Sequence, residues 1–395
     1  MTNILSELKI ELDKITTREQ KRECCLAVRA FGGQVEYRGK LYTDCASWNV
    51  LNLASHKKVL RAQLQAVEQA QGGIASPRTL LGTTPYHARA EEHLARFFGV
   101  ESALILPTKN QAILSLVTAL MNERDLLIVD AYVQSPYADA ASIVGATVET
   151  FSTLANLTAL LDHSKSYRRV YICIESLRGA TGDSAPLHEL VELSRKYGAE
   201  LCIDESYAFS MLGIRGAGLG EVIALKRNEL PHHMHLLTLV DLSVALGIPG
   251  TAIVSSKILI EYLVQTLSSL TSDTPPSVSD VAAIPVALEL LEFMHLERER
   301  IKLLVQKLYD GIGTSYTVVG TAPLGSFVTV RFPKLNQARL FHRALLERGF
   351  ITDVYPLGLP LSEESAVRFV LRSDFTDKTV DMILDTLHEI RKRGA

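Results

Sequence analysis

Between Glu101 and Ser256 the chain alternates short apolar runs rich in β-branched residues with helical stretches, and this rhythm limits the fold more than any other feature. The runs ESALILP, DLLIVD, ATVETF, VYICIES, ELCIDES, LLTLVDL and TAIVSS read as strands, with helices such as residues 111–121 and 185–197 between them. Strands that are apolar at nearly every position are buried on both faces, and helical crossovers make their neighbours parallel. The fold class is therefore α/β: a mostly parallel central sheet with helices on both faces.

After Pro276 the rhythm changes. A long helix over residues 286–309 leads to SFVTVRF, a helix near 336–348, ITDVYP, AVRFVLRSD and a last helix over 377–391, which together predict a smaller C-terminal α+β domain. The divisions are then 1–50, an N-terminal arm with an amphipathic helical start and a β-like stretch from Gln34 to Tyr42; 51–275, the large domain; and 276–395. No repeat or Pro/Gly linker separates them, so they should pack as one body.

Charge narrows the function classes. The 41 Lys and Arg against 44 Asp and Glu give a net charge of −3, so no global field draws nucleic acid or an anionic membrane. The most apolar window, residues 236–254, is broken by Asp241, Gly247, Pro249 and Gly250, and a spanning helix is not expected. The first residues lack the apolar core of a signal peptide. Cys24, Cys25, Cys45, Cys173 and Cys202 contain no C-x-x-C pair and read as reduced, mostly buried thiols. A cytoplasmic location follows, with peripheral attachment to the cytosolic face of the endoplasmic reticulum left open through a partner or the amphipathic first thirty residues.

In open parallel sheets, ligands bind beyond the carboxyl ends of the strands, which directs attention to residues 107–111, 130–135, 175–183, 204–207 and 241–247. The run GIRGAGLGE lacks the G-x-G-x-x-G order of a dinucleotide loop and reads as a plain glycine loop. The run PHHMH (231–235) has three histidines but no neighbouring carboxylate or cysteine to complete a metal site, and no metal is expected.

Two stretches carry more. SPRTLLGTTPYHARAEEHLARFFG, followed after a strand by ESLRGATGDSAPLHELVELSRKYGAELCIDESYAFSMLGIRGAGLGE, resembles the α-oxoamine synthases, pyridoxal-phosphate (PLP) enzymes that condense an amino acid with an acyl-CoA and release carbon dioxide. The resemblance runs from about Trp48 to the C-terminus and implies a PLP-dependent transferase-like large domain. Such an enzyme needs a lysine to hold PLP as an imine, an acid for the pyridine nitrogen and a ring to stack on the cofactor. The resemblance assigns the acid to Asp204, although an Asp after a buried strand is as often a helix cap.

The other positions depart from the family. Val244 in LVDLSVALG stands where the lysine belongs, and Lys257, the nearest lysine, reads as a surface residue. Gln134 replaces the stacking histidine, and Tyr207 replaces the histidine after the family's glutamate. The phosphate-receiving loop reads from Thr108 to Ile113, with Lys109 at the glycine position and Ile113 at the asparagine position. Four departures in one pocket argue against a working PLP site. No catalytic residue and no bound cofactor are expected in this chain, only a vestigial pocket of Thr108, Gln134, Asp204, Tyr207 and Val244.

This pattern of losses is similar to one lysine-less branch of the family, the first long-chain-base subunits of serine palmitoyltransferase. Pro77, Arg78, Gly82, Thr83, His87, Ile113, Phe209, Pro275, Pro276 and Arg368 match that branch, whereas the retained Asp204 and the missing membrane helix depart from it. The resemblance implies a non-catalytic subunit. Its partner would be the catalytic second long-chain-base subunit, which carries PLP and condenses L-serine with palmitoyl-CoA to 3-ketodihydrosphingosine. Arg78, Thr83, Thr84, Tyr86 and the segment 272–276 are then expected to reach toward the partner's site. Arg368 reads as a structural or interface cation ahead of a carboxylate binder. A scaffolding or regulatory homologue, and a self-sufficient enzyme with noncovalent cofactor, stay open as alternatives.

Overall fold

The computed structural model describes residues 3–17, 26–29, 32–70, 74–133, 136–224, 237–313, 315–320, 324–356 and 364–392. After a helix over Ile4–Thr17 come three short strands, β1 (Ala27–Arg29), β2 (Gln34–Tyr37) and β3 (Lys40–Cys45). The alternating segment supplies β4 (Ser102–Leu106), β5 (Leu126–Asp130), β6 (Thr147–Phe151), β7 (Val170–Glu175), β8 (Glu200–Asp204), β9 (Leu237–Asp241) and β10 (Thr251–Ser255). The remainder supplies β11 (Val318–Val319), β12 (Phe327–Phe332), β13 (Phe350–Pro356) and β14 (Ser365–Val370).

Every apolar run read as a strand in the alternating segment is one, and together they form a seven-stranded sheet in the order β4-β10-β9-β8-β7-β5-β6. The pairs β5–β6, β5–β7, β7–β8 and β8–β9 are parallel. Only β10 runs antiparallel to both of its neighbours. The physical reason is the connection: residues 242–250 are too few for a parallel crossover, which needs about a dozen or more. Successive residues face opposite sides of the sheet. Leu127 and Val129 join Ile113, Leu116, Tyr137 and Leu263 on one face, while Leu126 and Ile128 join Leu157, Leu161 and Leu190 on the other. The α/β architecture with both faces covered is thus the one observed.

The second sheet is also seven-stranded, in the order β1-β2-β3-β13-β14-β12-β11. Here the structure revises the reading of the first fifty residues. Residues 27–45 are built into the C-terminal sheet, because β3 pairs in parallel with β13 and closes an edge that would otherwise be open. Asp44 and Arg372, both buried and 3.2 Å apart, lock the two ends of the chain together. The helix read over residues 286–309 is two helices, Val278–Leu291 and His295–Ile312. Buried Arg298 reaches back to the break, donating to the carbonyls of Leu291 at 2.8 Å and Ile214 at 2.6 Å, so the freed helix-end acceptor is satisfied.

Among the described residues no helix is long and apolar enough to cross a membrane, and no three His, Cys, Asp or Glu side chains are placed to hold a metal. Cys45, Cys173 and Cys202 are buried free thiols, whereas Cys24 and Cys25 lie outside the described residues.

Candidate functional site

Strand β4 is antiparallel to β10 and β10 to β9, so β4 points the same way as β9 and the other parallel strands. The carboxyl ends of β4, β5, β7, β8 and β9 therefore open on one edge, where Asp130, Glu175, Asp204 and Asp241 close four of them. Three of these acids are buried, and burial of a carboxylate demands a partner. Asp130 is paired with Arg178, whose Nη2 lies 2.8 Å away and whose guanidinium stacks on the Tyr132 ring at 4.8 Å. Glu175 accepts the Gly179 N–H at 2.8 Å. Its burial pushes its pKa up to about 7 against the pull of Lys109.

Asp204 is the centre of the site. Its Oδ1 accepts the Ser206 N–H at 2.9 Å and the Ser206 hydroxyl, and that hydroxyl in turn accepts the Asp241 N–H at 2.8 Å. This couples the end of β8 to the end of β9. On the other oxygen, Oδ2, the ammonium of Lys109 sits 2.5 Å away. The ion pair with Lys109 is the contact that Oδ2 makes among the described residues. Burial alone would pull Lys109 below its ordinary pKa, but Asp204, Glu175 and the Tyr207 oxygen together raise it, which keeps the ammonium charged.

Behind the ion pair lies an aromatic wall. The Lys109 ammonium stands 5.7 Å from the centre of the Tyr207 ring, which in turn meets Trp48 at 5.0 Å between centroids. Tyr207 approaches Gly179 so closely that a Cβ at that glycine would lie 2.2 Å from the ring. Arg368 is 5% exposed and stacks between Trp48 at 4.5 Å and Tyr355 at 4.4 Å. It donates to Gly179 O at 2.6 Å and pairs with Asp353 at 2.5 Å. The guanidinium is engaged inside the chain, as the structural reading of Arg368 expected.

The remaining vestigial positions take ordinary roles. Thr108 caps the helix Lys109–Leu120 by accepting from Gln111 N, and Ile113 on that helix is fully buried in the core. Val244 is half-buried in the single turn Leu242–Ala245 that follows β9. Lys257 lies beyond the far end of β10, about 13 Å from the site edge at roughly 3.3 Å per strand residue. There its ammonium is 3.7 Å from Glu261 and largely exposed, so it cannot serve this pocket. Gln134 and the histidine run 231–235 lie outside the described residues. The glycine loop offers no phosphate cradle, because the N–H groups of Leu219 and Gly220 donate to Glu205 and that of Ala217 to Glu221.

Each of the residues expected to reach a partner also bonds within this chain. Arg78 forms a two-pronged ion pair with Glu91, at 2.5 and 3.0 Å, and Thr83 donates to Arg78 O at 2.8 Å. Thr84 caps the helix Pro85–Phe98 together with His87, whose other ring nitrogen bonds Pro276 O at 3.0 Å. Tyr86 donates to Gln69 at 2.5 Å. The exposed residues of this loop are Thr79, Leu80, Leu81 and Thr83, with Leu80 and Leu81 at 72% and 85%. Arg78 lies seven residues before the helix Pro85–Phe98, and nothing in the sequence marked Glu91 on that helix as its partner.

Held against pyridoxal phosphate, the pocket does not fit. The lysine position is a hydrocarbon, the acid for the pyridine nitrogen already carries a lysine of the same chain, and the phosphate-loop asparagine position is a core isoleucine. Sequence reasoning saw the missing amine at Val244 and the isoleucine at position 113 but missed that Lys109 answers Asp204. The one available signal was a lysine directly after a strand that ends on the site edge.

Comparisons with known proteins agree with the architecture. The model of the aminotransferase class I and II family matches residues 47–387. A putative 8-amino-7-oxononanoate synthase of Geobacillus kaustophilus is 28% identical over 400 residues, covering 98% of each chain. Another from Thermosynechococcus vestitus is 30% identical over 348 residues, covering 87% of this chain and 86% of the relative. Among solved structures, the serine palmitoyltransferase of Sphingomonas wittichii superposes with a TM-score of 0.89 at 21% identity over 99% of both chains. The enzyme from S. paucimobilis with a bound PLP–myriocin aldimine gives 0.89 at 20% identity, again over 99% of both. At such identities the structural likeness is one of fold.

Proposed function

The chain belongs to the aminotransferase class I and II family, and from that premise we propose that it is the non-catalytic half of an α-oxoamine synthase of the serine palmitoyltransferase kind. A partner chain would carry pyridoxal phosphate and its lysine, and the pair would condense L-serine with palmitoyl-CoA to 3-ketodihydrosphingosine. The observation that carries this reading is Val244: a hydrocarbon at the position of the reacting amine, on a fold otherwise complete at the strand ends around it. This chain's own residues then hold and shape. Asp204, Ser206 and Asp241 tie the strand ends together, and Arg368 braces the aromatic wall. The complex would work in the cytoplasm, at the cytosolic face of the endoplasmic reticulum where its partner is held there.

The test is co-expression with a relative that keeps the Ser-Lys-Ala segment, purification of the complex, and assay of serine and palmitoyl-CoA condensation. Activity should require both chains, and full activity of the partner alone would overturn the reading. A second reading comes from the names of the curated relatives: the partner is an 8-amino-7-oxononanoate synthase. Mass analysis of the product distinguishes the two.

A further inference from the structure

We infer that Lys109 is the pocket's resident cation, a side chain that stands in for the cofactor's pyridinium on Asp204 and thereby closes this chain to pyridoxal phosphate. Asp204 is 1% exposed and is fixed by Ser206 on one oxygen. A carboxylate so placed needs a positive partner or a proton. In a PLP enzyme that partner is the protonated ring nitrogen. Here it is Lys109 Nζ, 2.5 Å from Oδ2. A ring N–H donating to the same oxygen must come within about 3 Å of it, space that the ammonium already fills.

The lysine is not there for its helix. It is the first residue of Lys109–Leu120, where the helix dipole opposes a cation. What holds it is the acid pair on the strand ends, Asp204 and Glu175, with the Tyr207 ring at 5.7 Å. Expelling Lys109 would leave Asp204 and Glu175, buried neighbours across β7 and β8, without the cation they share. The same arrangement accounts for the retained acid. Asp204 outlives the loss of the imine lysine because, together with Lys109, it forms a pair whose members depend on each other. The inference concerns this chain alone and stands whatever its partner makes.

The experiment compares the full chain with V244K, K109S and K109S/V244K after incubation with pyridoxal phosphate, borohydride reduction and peptide mapping. V244K alone should retain little cofactor at position 244, and K109S/V244K at least tenfold more. Equal labelling of V244K and the double variant overturns the inference, as does a double variant that labels no more than wild type. Melting curves of K109Q, D204N and K109Q/D204N supply an independent readout without cofactor. D204N should restore most of the stability lost in K109Q, since the orphaned acid is the cause of that loss. If K109Q is as stable as wild type, or if D204N adds to the loss, Lys109 is not the partner Asp204 requires.

Discussion

The guanidinium of Arg368 lies 4.5 Å over the ring of Trp48, a contact that joins the first residues of the matched fold to strand β14 near its end. Tyr355 covers its other side, and its two terminal nitrogens bond Gly179 O and Asp353. The site wall and the C-terminal sheet are therefore one structure held by one cation.

From this arrangement, R368A should destabilise the chain by about 1.5–3 kcal/mol, because it removes charged hydrogen bonds to the partly exposed Asp353 and to Gly179 O and empties an aromatic cage. R368K should recover part of the loss by keeping charge without the planar fork. Chemical denaturation of the two variants checks the order, and an R368A chain as stable as wild type removes the structural role.

Gly179 and Tyr207 leave no room between them. G179A puts a methyl group 2.2 Å from the ring and should cost about 1–3 kcal/mol through forced displacement of the tyrosine. Trimming the obstacle in G179A/Y207A should cost less than the sum of the single changes. Additive losses in a double-mutant cycle would show that the two do not meet.

Glu175 makes stability depend on pH. Its folded pKa, about 7, lies above its ordinary 4.5, so between those values the folded chain binds a proton that the unfolded chain does not. That contribution is fully present below the unfolded value and is lost as pH rises through the folded one. E175Q removes the titrating group, and its melting temperature relative to wild type should climb as pH goes from about 5 to about 8. A constant difference across that range would falsify the assignment.

Arg78 and Glu91 form a pair within the chain, with side-chain exposures of 9% and 15%. R78A should therefore lower the stability of the isolated chain by about 2 kcal/mol, the scale of a charged hydrogen-bonded contact. A purely interfacial arginine would instead leave the isolated chain unchanged and weaken only the complex.

Lys257 should be dispensable. Its position past the far end of β10 predicts that K257A leaves the partnered activity within about twofold of wild type, a change below 0.5 kcal/mol in barrier. Loss of activity in that variant would place a reacting amine on this chain after all.

The order of strands and helices, the two covered faces of the central sheet and the absence of an amine at Val244 were all legible in the residues themselves. Burial leaves a local signature in hydrophobic period, and a missing functional group is visible as a letter. Other features were not local. The run Thr251–Ser255 looks like its parallel neighbours, and its reversal came from a connection too short to cross over. Residues 27–45 carried no mark of their docking onto β13. Most of all, Lys109 stands 95 residues before Asp204, and in sequence it is one more polar residue at a helix start. Sequence alone determined which groups the pocket had lost; only the tertiary structure decided what replaced them, because two charges become partners through the desolvated distance between them, and that distance is set by how the strands are ordered in the sheet.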